Sequence, residues 1–210
     1  MKKILDNIVT FLQKSKIHFD SRNDDGRVNS INSEMLIVEL LKREFGRYIQ
    51  VPSIRCWYDI KISSGDQEIF VNIKISDFSN GAADNISSKL GMGYALTGIK
   101  NMPIAWEKFN DMLADNLKIG CDYFFLVLDK GKLINTYWTS LKRINVLVPN
   151  GNNLPFQCNW ATNTIFSQRS EVESMKYILN IYLKSWDKKT LGYPHKLRDM
   201  LKNDKLFNNE

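Results

Sequence analysis

The sequence predicts a mixed α/β protein: a mixed central β-sheet flanked by helices. Three observations predict it. Two stretches of alternating polarity lie on either side of Gly65-Asp66, a dipeptide suited to a tight hairpin turn. The run Tyr123–Leu128, YFFLVL, has strand length and no polar face, as in a strand buried on both sides. Around these lie stretches with helical apolar spacing and helix-type boundaries.

The elements follow in order. Residues 3–16 predict a first helix; Asp6 and Thr10 interrupt its apolar residues, so it reads as amphipathic rather than as a signal peptide. Residues 21–29, SRNDDGRVN, are polar and turn-like. A second helix is expected from Asn32 to Phe45, stopped by Gly46, and Pro52 closes the connection that follows. Strands are expected over Ile54–Ile62 and Glu68–Ser76, then a loop over 77–83. A helix capped by Asp84 or Asn85 should reach Thr97. Gly91 and Gly93 weaken it by about 1 kcal/mol each relative to alanine, which points to close packing there. Residues 104–118 suggest another helix, and Lys132–Leu141 a strand after the Lys130-Gly131 turn. Residues 144–168 read as irregular or short-stranded, 170–186 as a long amphipathic helix, and the tail from Lys188 as polar and basic. Trp106, Trp138 and Trp186 are expected in the core.

Composition narrows the function. The chain has 210 residues, enough for one domain over 1–210 with a real core. Its 43% hydrophobic and 25% charged residues are those of a globular protein. No run of 18 apolar residues occurs, so no membrane span is expected, and a cytoplasmic location follows as the expectation. Three cysteines without a CxxC pair argue for reduced thiols. With only two histidines they give little support to zinc chemistry. The net charge of +6 is compatible with a polyanionic partner, because phosphate neutralisation drives nucleic-acid binding.

Chemistry concentrates in the hairpin. Side chains alternate across a strand, so Tyr58, Ile60 and Ile62 should share one face, and Asp59 and Lys61 the other. In the second strand Ile69, Val71, Ile73 and Ile75 oppose Phe70, Asn72 and Lys74. A loop centred on Gly65-Asp66 pairs Asp59 with Asn72 and Trp57 with Lys74. Directly opposed Cβ atoms lie about 4.5–5.5 Å apart. A carboxylate, an amide oxygen and an ammonium therefore converge. Oxygen ligands at that spacing can hold magnesium, and a nearby lysine can stabilise a phosphate or position attacking water. On the preceding helix Glu34 aligns with Val38, Leu41 and Phe45, whereas Glu39 and Glu44 lie elsewhere. An inward carboxylate needs partners; a metal site would provide them, and so would a capping role in the first helical turn.

Tyr58-Asp59, twelve residues, then Asn72-Ile73-Lys74, after a helix with an inward Glu34, resembles the PD-(D/E)XK nuclease family, and type II restriction endonucleases most. VNIKIS followed by ADNISSKLG-x-GYALTG also resembles the strand-to-helix segment of such enzymes. The resemblance covers about residues 30–140 and implies a restriction-endonuclease-like core of helix, strand hairpin, helix and strand. It implies Mg2+ as cofactor and a homodimer that cleaves double-stranded DNA at a specific, palindromic site. By the same resemblance Asp59 is a metal ligand, Asn72 occupies the second acidic position, Lys74 is the motif lysine and Glu34 the helix glutamate. Tyr58 stands where the motif has proline. Asn72 replaces an acid, removing one negative charge from the site. Three readings stay open: an active natural variant, an Asp-to-Asn change made to keep DNA uncut, or a silent relative that binds DNA without cutting. Glu68 cannot substitute, since it sits about 13 Å along the strand, and Asp77 lies just beyond the strand. A repair or junction-resolving nuclease is a further alternative.

Two other regions are candidates for DNA contact. Asn85, Ser87, Ser88 and Lys89 fall in the expected first turn of a helix, where backbone N–H groups suit phosphate, although simple capping explains them equally. Residues 142–170 are rich in Asn, Gln and Arg, among them Asn159, Asn163 and Arg169, the side-chain types that pair with base edges. A polar surface loop would account for the same composition.

Overall fold

A computed structural model describes residues 1–17, 19, 26–53, 56–81, 83–86, 89–187 and 193–203. The chain divides into two compact units, Met1–Ala82 with Phe124–Ser140, and Ala83–Tyr123 with Leu141–Glu210. The stretch 30–140, expected as one core, is shared between them.

The first unit is a five-stranded mixed sheet with two helices. Helix α1 spans Lys2–Lys14 and α2 spans Gly26–Phe45. The strands are β1 (Ile49–Gln50), β2 (Ile60–Ser64), β3 (Gln67–Ser76), β5 (Phe124–Asp129) and β6 (Tyr137–Ser140), in the order β1-β2-β3-β5-β6. Strands β2 and β3 form the expected hairpin with the expected register, Ile60 opposite Val71 through Ser64 opposite Gln67. Gly65 takes φ 58°, which glycine adopts without a Cβ clash. Strand β3 then pairs in parallel with β5, and β5 pairs antiparallel with β6.

The core of this unit explains the pattern. Leu5, Ile8 and Leu12 of α1, and Ile37 and Leu41 of α2, lie at helical spacing. They pack with Ile60, Ile62, Val71, Ile73, Leu126 and Leu128 from one face of β2, β3 and β5. Each such side chain contributes about 1.5–3 kcal/mol when fully buried. Strand β5 is buried from Phe125 to Asp129, as its unbroken apolar run requires.

Several boundaries differ from expectation. Helix α2 begins six residues earlier, at Gly26, so 26–29 are helix rather than turn; residues 21–25 lie outside the described residues. Its most buried stripe runs through Ser33, Ile37 and Leu41, with Glu34 and Val38 half-buried beside it. Strand β2 starts at Ile60, because residues 57–59 bend; residues 54 and 55 of the expected strand lie outside the described residues. The strand expected over Lys132–Leu141 shrinks to Tyr137–Ser140. The buried Asp129 carboxylate accepts hydrogen bonds from Gly131 N (3.0 Å) and Asn135 Nδ2 (2.7 Å), which curls 133–135 into a 3-10 turn.

The second unit holds a three-stranded antiparallel sheet and four helices among the described residues. Its strands are β4 (Asp84–Asn85), β7 (Val148–Pro149) and β8 (Phe156–Cys158), ordered β4-β8-β7. Its helices are α3 (Lys89–Thr97), α4 (Trp106–Asp115), α5 (Glu171–Trp186) and α6 (His195–Lys202). Helix α5 opens with a complete capping box between Ser170 and Glu173. The glycines of α3 serve packing: a Cβ on Gly91 would overlap the Tyr123 ring, and one on Gly93 would press on Phe109 and Met102. Trp106 packs edge-on against Phe109 and Trp186. In the first unit Trp138 donates to Asp6 Oδ1 (2.7 Å). The polar, basic tail contributes α6. All three cysteines are free thiols. Among the described residues no helix is long and apolar enough to cross a membrane.

Candidate active site

The hairpin delivers Asp59 and Asn72 to one point. Asp59 N donates to Val71 O (3.0 Å), one residue out of the β2-β3 register, in which Val71 faces Ile60. Its carboxylate turns toward β3. There Oδ2 accepts from Asn72 Nδ2 at 2.8 Å and from Ile73 N at 2.6 Å. Burial pushes the Asp59 carboxyl above its ordinary range, while the Ile73 N–H and the Lys74 charge pull it down. Lys74 is therefore close enough for its charge to act on Asp59. Asn72 is buried and Lys74 half-buried.

Asp59 also opens onto a cleft of about 430 Å³ in the first unit. Helix α2 lines one side through Glu34, Val38, Glu39 and Lys42, and the segment before β2 contributes Tyr58 and Asp59. Glu34 and Asp59 thus share a cleft although 25 residues separate them in sequence. Glu39, expected elsewhere, lines it too. Positions 34, 38 and 42 form one i, i+4 row on α2, and Met35 and Glu39 lie in the row beside it.

The bend at 57–59 breaks strand alternation. Tyr58, expected on the core face with Ile60, instead packs its ring on Phe70 at 4.7 Å, and Trp57 packs on Phe70 at 4.9 Å. The pairing of Trp57 with Lys74 is not formed, because the ladder ends at Ile60. No sequence period flags this bend.

Hard oxygen donors suit magnesium, which takes one or two carboxylates and keeps several waters. Glu34 and Asp59 meet that description. The Asn72 amide, however, presents its N–H to Asp59 rather than an oxygen to the cleft. Among the described residues no cluster of three or more His, Cys, Asp or Glu is placed to hold a metal. The described residues form no preformed metal cage; Glu34 and Asp59 supply carboxylates to the same cleft wall.

The expected DNA-contacting residues lie in the second unit. Asn85 is not at a helix start. It belongs to β4, because 84–85 pair with β8, and its Oδ1 accepts from Asn150 Nδ2 (2.9 Å). Ser87 and Ser88 lie outside the described residues. Lys89 opens α3, but its ammonium sits 4.0 Å from the Trp106 ring centre and donates to Ile104 O. Burial lowers its pKa. Asn159 Oδ1 accepts from Thr162 N (3.3 Å), bracing a short 3-10 turn. Asn163 is fully buried: its Oδ1 accepts from Val146 N, and its Nδ2 donates to Val146 O and Asn159 O. The Arg169 guanidinium donates to Ile144 O and Asn145 O and lies 3.8 Å from the Tyr177 ring centre. Asn163 and Arg169 direct these groups to neighbouring backbone.

Compared with known proteins, the chain matches no family model and no curated relative.

Proposed function

We propose that the protein is a type II site-specific deoxyribonuclease that hydrolyses phosphodiester bonds of double-stranded DNA with magnesium and works as a homodimer. The observation that carries this is the Asp59 carboxylate, fixed by Asn72 and Ile73, under the charge of Lys74, and sharing a cleft with Glu34. The order helix, antiparallel hairpin, crossover and parallel strand in α2, β2, β3 and β5 is the order that the motif resemblance implies. A restriction-endonuclease-like core is part of the proposal.

Asp59 and Glu34 would hold the magnesium. When bound, it supplies positive charge that offsets the build-up on the phosphate. Asn72 and Ile73 N hold the Asp59 carboxylate in one orientation. Lys74 stabilises the negative charge of the phosphate in the transition state. The backbone bond from Asp59 N to Val71 O ties the bend that carries the carboxylate to strand β3.

The test is digestion of a long duplex DNA of mixed sequence with magnesium, then mapping of the ends. Discrete cuts that vanish with chelator and in Asp59→Ala are expected. Cutting that persists in chelator would refute the proposal. One observation favours a second reading, binding without cutting: the Asn72 amide hydrogens occupy Asp59 Oδ2, where a second acid would have favoured a cation. DNA retention by a parent chain that cuts nothing, with cutting gained in Asn72→Asp, would select that reading.

A further inference from the structure

One charged group of the cleft has no part in metal binding or hydrolysis as proposed above. Among the described residues that line the cleft, Glu34, Glu39 and Asp59 are acidic and Lys42 alone is a cation. Lys42 stands on the α2 row that begins at Glu34, one turn beyond Val38. At a rise of about 1.5 Å per residue, it lies about 12 Å along the helix axis from Glu34.

The Lys42 side chain is exposed, in the last turn of α2. Glu39 lies three residues back, a spacing that puts Cβ atoms about 5–6 Å apart. Among the described residues no ion pair joins the two, whereas Arg43 pairs with Glu44 at 3.1 Å. The Lys42 ammonium is therefore available to an anion entering the cleft.

A DNA strand held at Asp59 and Glu34 brings such anions. Each strand of a duplex carries one phosphate per about 3.4 Å of axis, so about 12 Å spans no more than about four of them. Lys42 thus stands apart from the scissile phosphate but alongside the next few. A strand leaving the metal in that direction passes Glu39, whose charge repels it. Lys42 offsets that repulsion far enough from Asp59 and Glu34 to leave their carboxylates to the metal.

We propose that Lys42 is a substrate-binding residue whose ammonium contacts a non-scissile phosphate, within about four nucleotides of the bond that is cut. This inference rests on the nuclease proposal above. Such a contact sets the position of the duplex and is blind to base identity.

The experiment compares the full-length parent chain with Lys42→Gln, which removes the charge, and Lys42→Arg, which keeps it. One probe is a long duplex DNA of mixed sequence, bound in calcium over a range of salt. The Gln variant should bind roughly threefold to tenfold more weakly at low salt, with the slope of log affinity against log salt reduced by about one. The Arg variant should keep the parent slope. In magnesium KM should rise with kcat unchanged. A second probe is a short duplex carrying a mapped cut site, with a neutral methylphosphonate placed singly at each of the four phosphates on either side. At one position the parent should fall to the affinity of the Gln variant, and the Gln variant should lose nothing further. Equal affinities and salt slopes in parent and Gln variant would overturn the role of Lys42 while leaving the nuclease proposal standing. So would a lower melting temperature with an unchanged salt slope, which marks a charge serving only the C-terminus of α2. Methylphosphonates that weaken both proteins equally at every position would overturn it too. A parent chain that neither binds nor cuts DNA overturns both proposals together.

Discussion

Replacing Asn72 by aspartate puts the proposed site under its most direct strain. Asn72 Nδ2 lies 2.8 Å from Asp59 Oδ2. A carboxylate oxygen in its place would set two negative charges at that separation. At an effective dielectric of about 20 the repulsion is roughly 6 kcal/mol. The pair escapes by taking a proton. Protonating a carboxyl of ordinary pKa about 4 costs about 1.4 kcal/mol per pH unit above it, hence about 1.4 kcal/mol at pH 5 and about 5 at pH 8. Asp59 is already pushed upward by burial, which lowers these ceilings. A realised penalty of about 2–4 kcal/mol at pH 8 follows, or a melting temperature lower by about 5–15 °C.

The sign of the pH dependence is fixed by this origin. The coupled carboxyls titrate higher in the folded chain than in the unfolded one, so the penalty is absent at low pH and grows as pH rises through the folded values. A divalent cation does what the proton does. Magnesium or manganese should therefore restore most of the lost stability at pH 8 and raise cleavage above that of the parent. The assay is calorimetric melting of both proteins from pH 4.5 to 8.5, with chelator and with magnesium. A variant that melts with the parent at pH 8 in chelator, and does not respond to pH or metal, would refute the pairing of residues 59 and 72 and the metal site built on it.

Asp59→Asn should separate stability from activity. The raised Asp59 carboxyl makes the parent lose stability as pH rises from the unfolded value of about 3.9 through the folded one. The variant lacks that loss, so it should melt at or above the parent temperature at pH 7 while cleavage falls at least about a hundredfold. Glu171→Gln should destabilise the chain by about 2–4 kcal/mol, measured by urea unfolding, because Lys142 is buried against Glu171 at 2.5 Å and would lose its counter-charge. Burial opposes ionisation of Glu171, but hydrogen bonds from Lys142 and Gly120 N outweigh it and lower its pKa. The parent should therefore hold this contribution above about pH 4.3 and lose it as pH falls through the lower folded value. Gly91→Ala drives a Cβ into the Tyr123 ring and should cost about 1–3 kcal/mol, read as a lower urea midpoint with an unchanged slope.

What the sequence by itself determined was local. A period-2 pattern and one Gly-Asp turn set the β2-β3 register, and that register brings Asp59 to Asn72. An unbroken apolar run was enough for β5, whereas the wall that carries Glu34 also took in Glu39, which the helical alignment had put elsewhere. Tertiary structure decided whatever depended on a distant partner. Residues 84–85 became a strand because Gln157 and Cys158 lie across from them, more than 70 residues away. Asn163 and Arg169 were absorbed by carbonyls of residues 144–146 and 159, which no short window displays. Tyr58 left the core face because Phe70 holds its ring where the ladder ends. Periodicity and turn chemistry act within about ten residues, whereas hydrogen-bond acceptors and ring contacts are chosen only after the chain has folded back on itself.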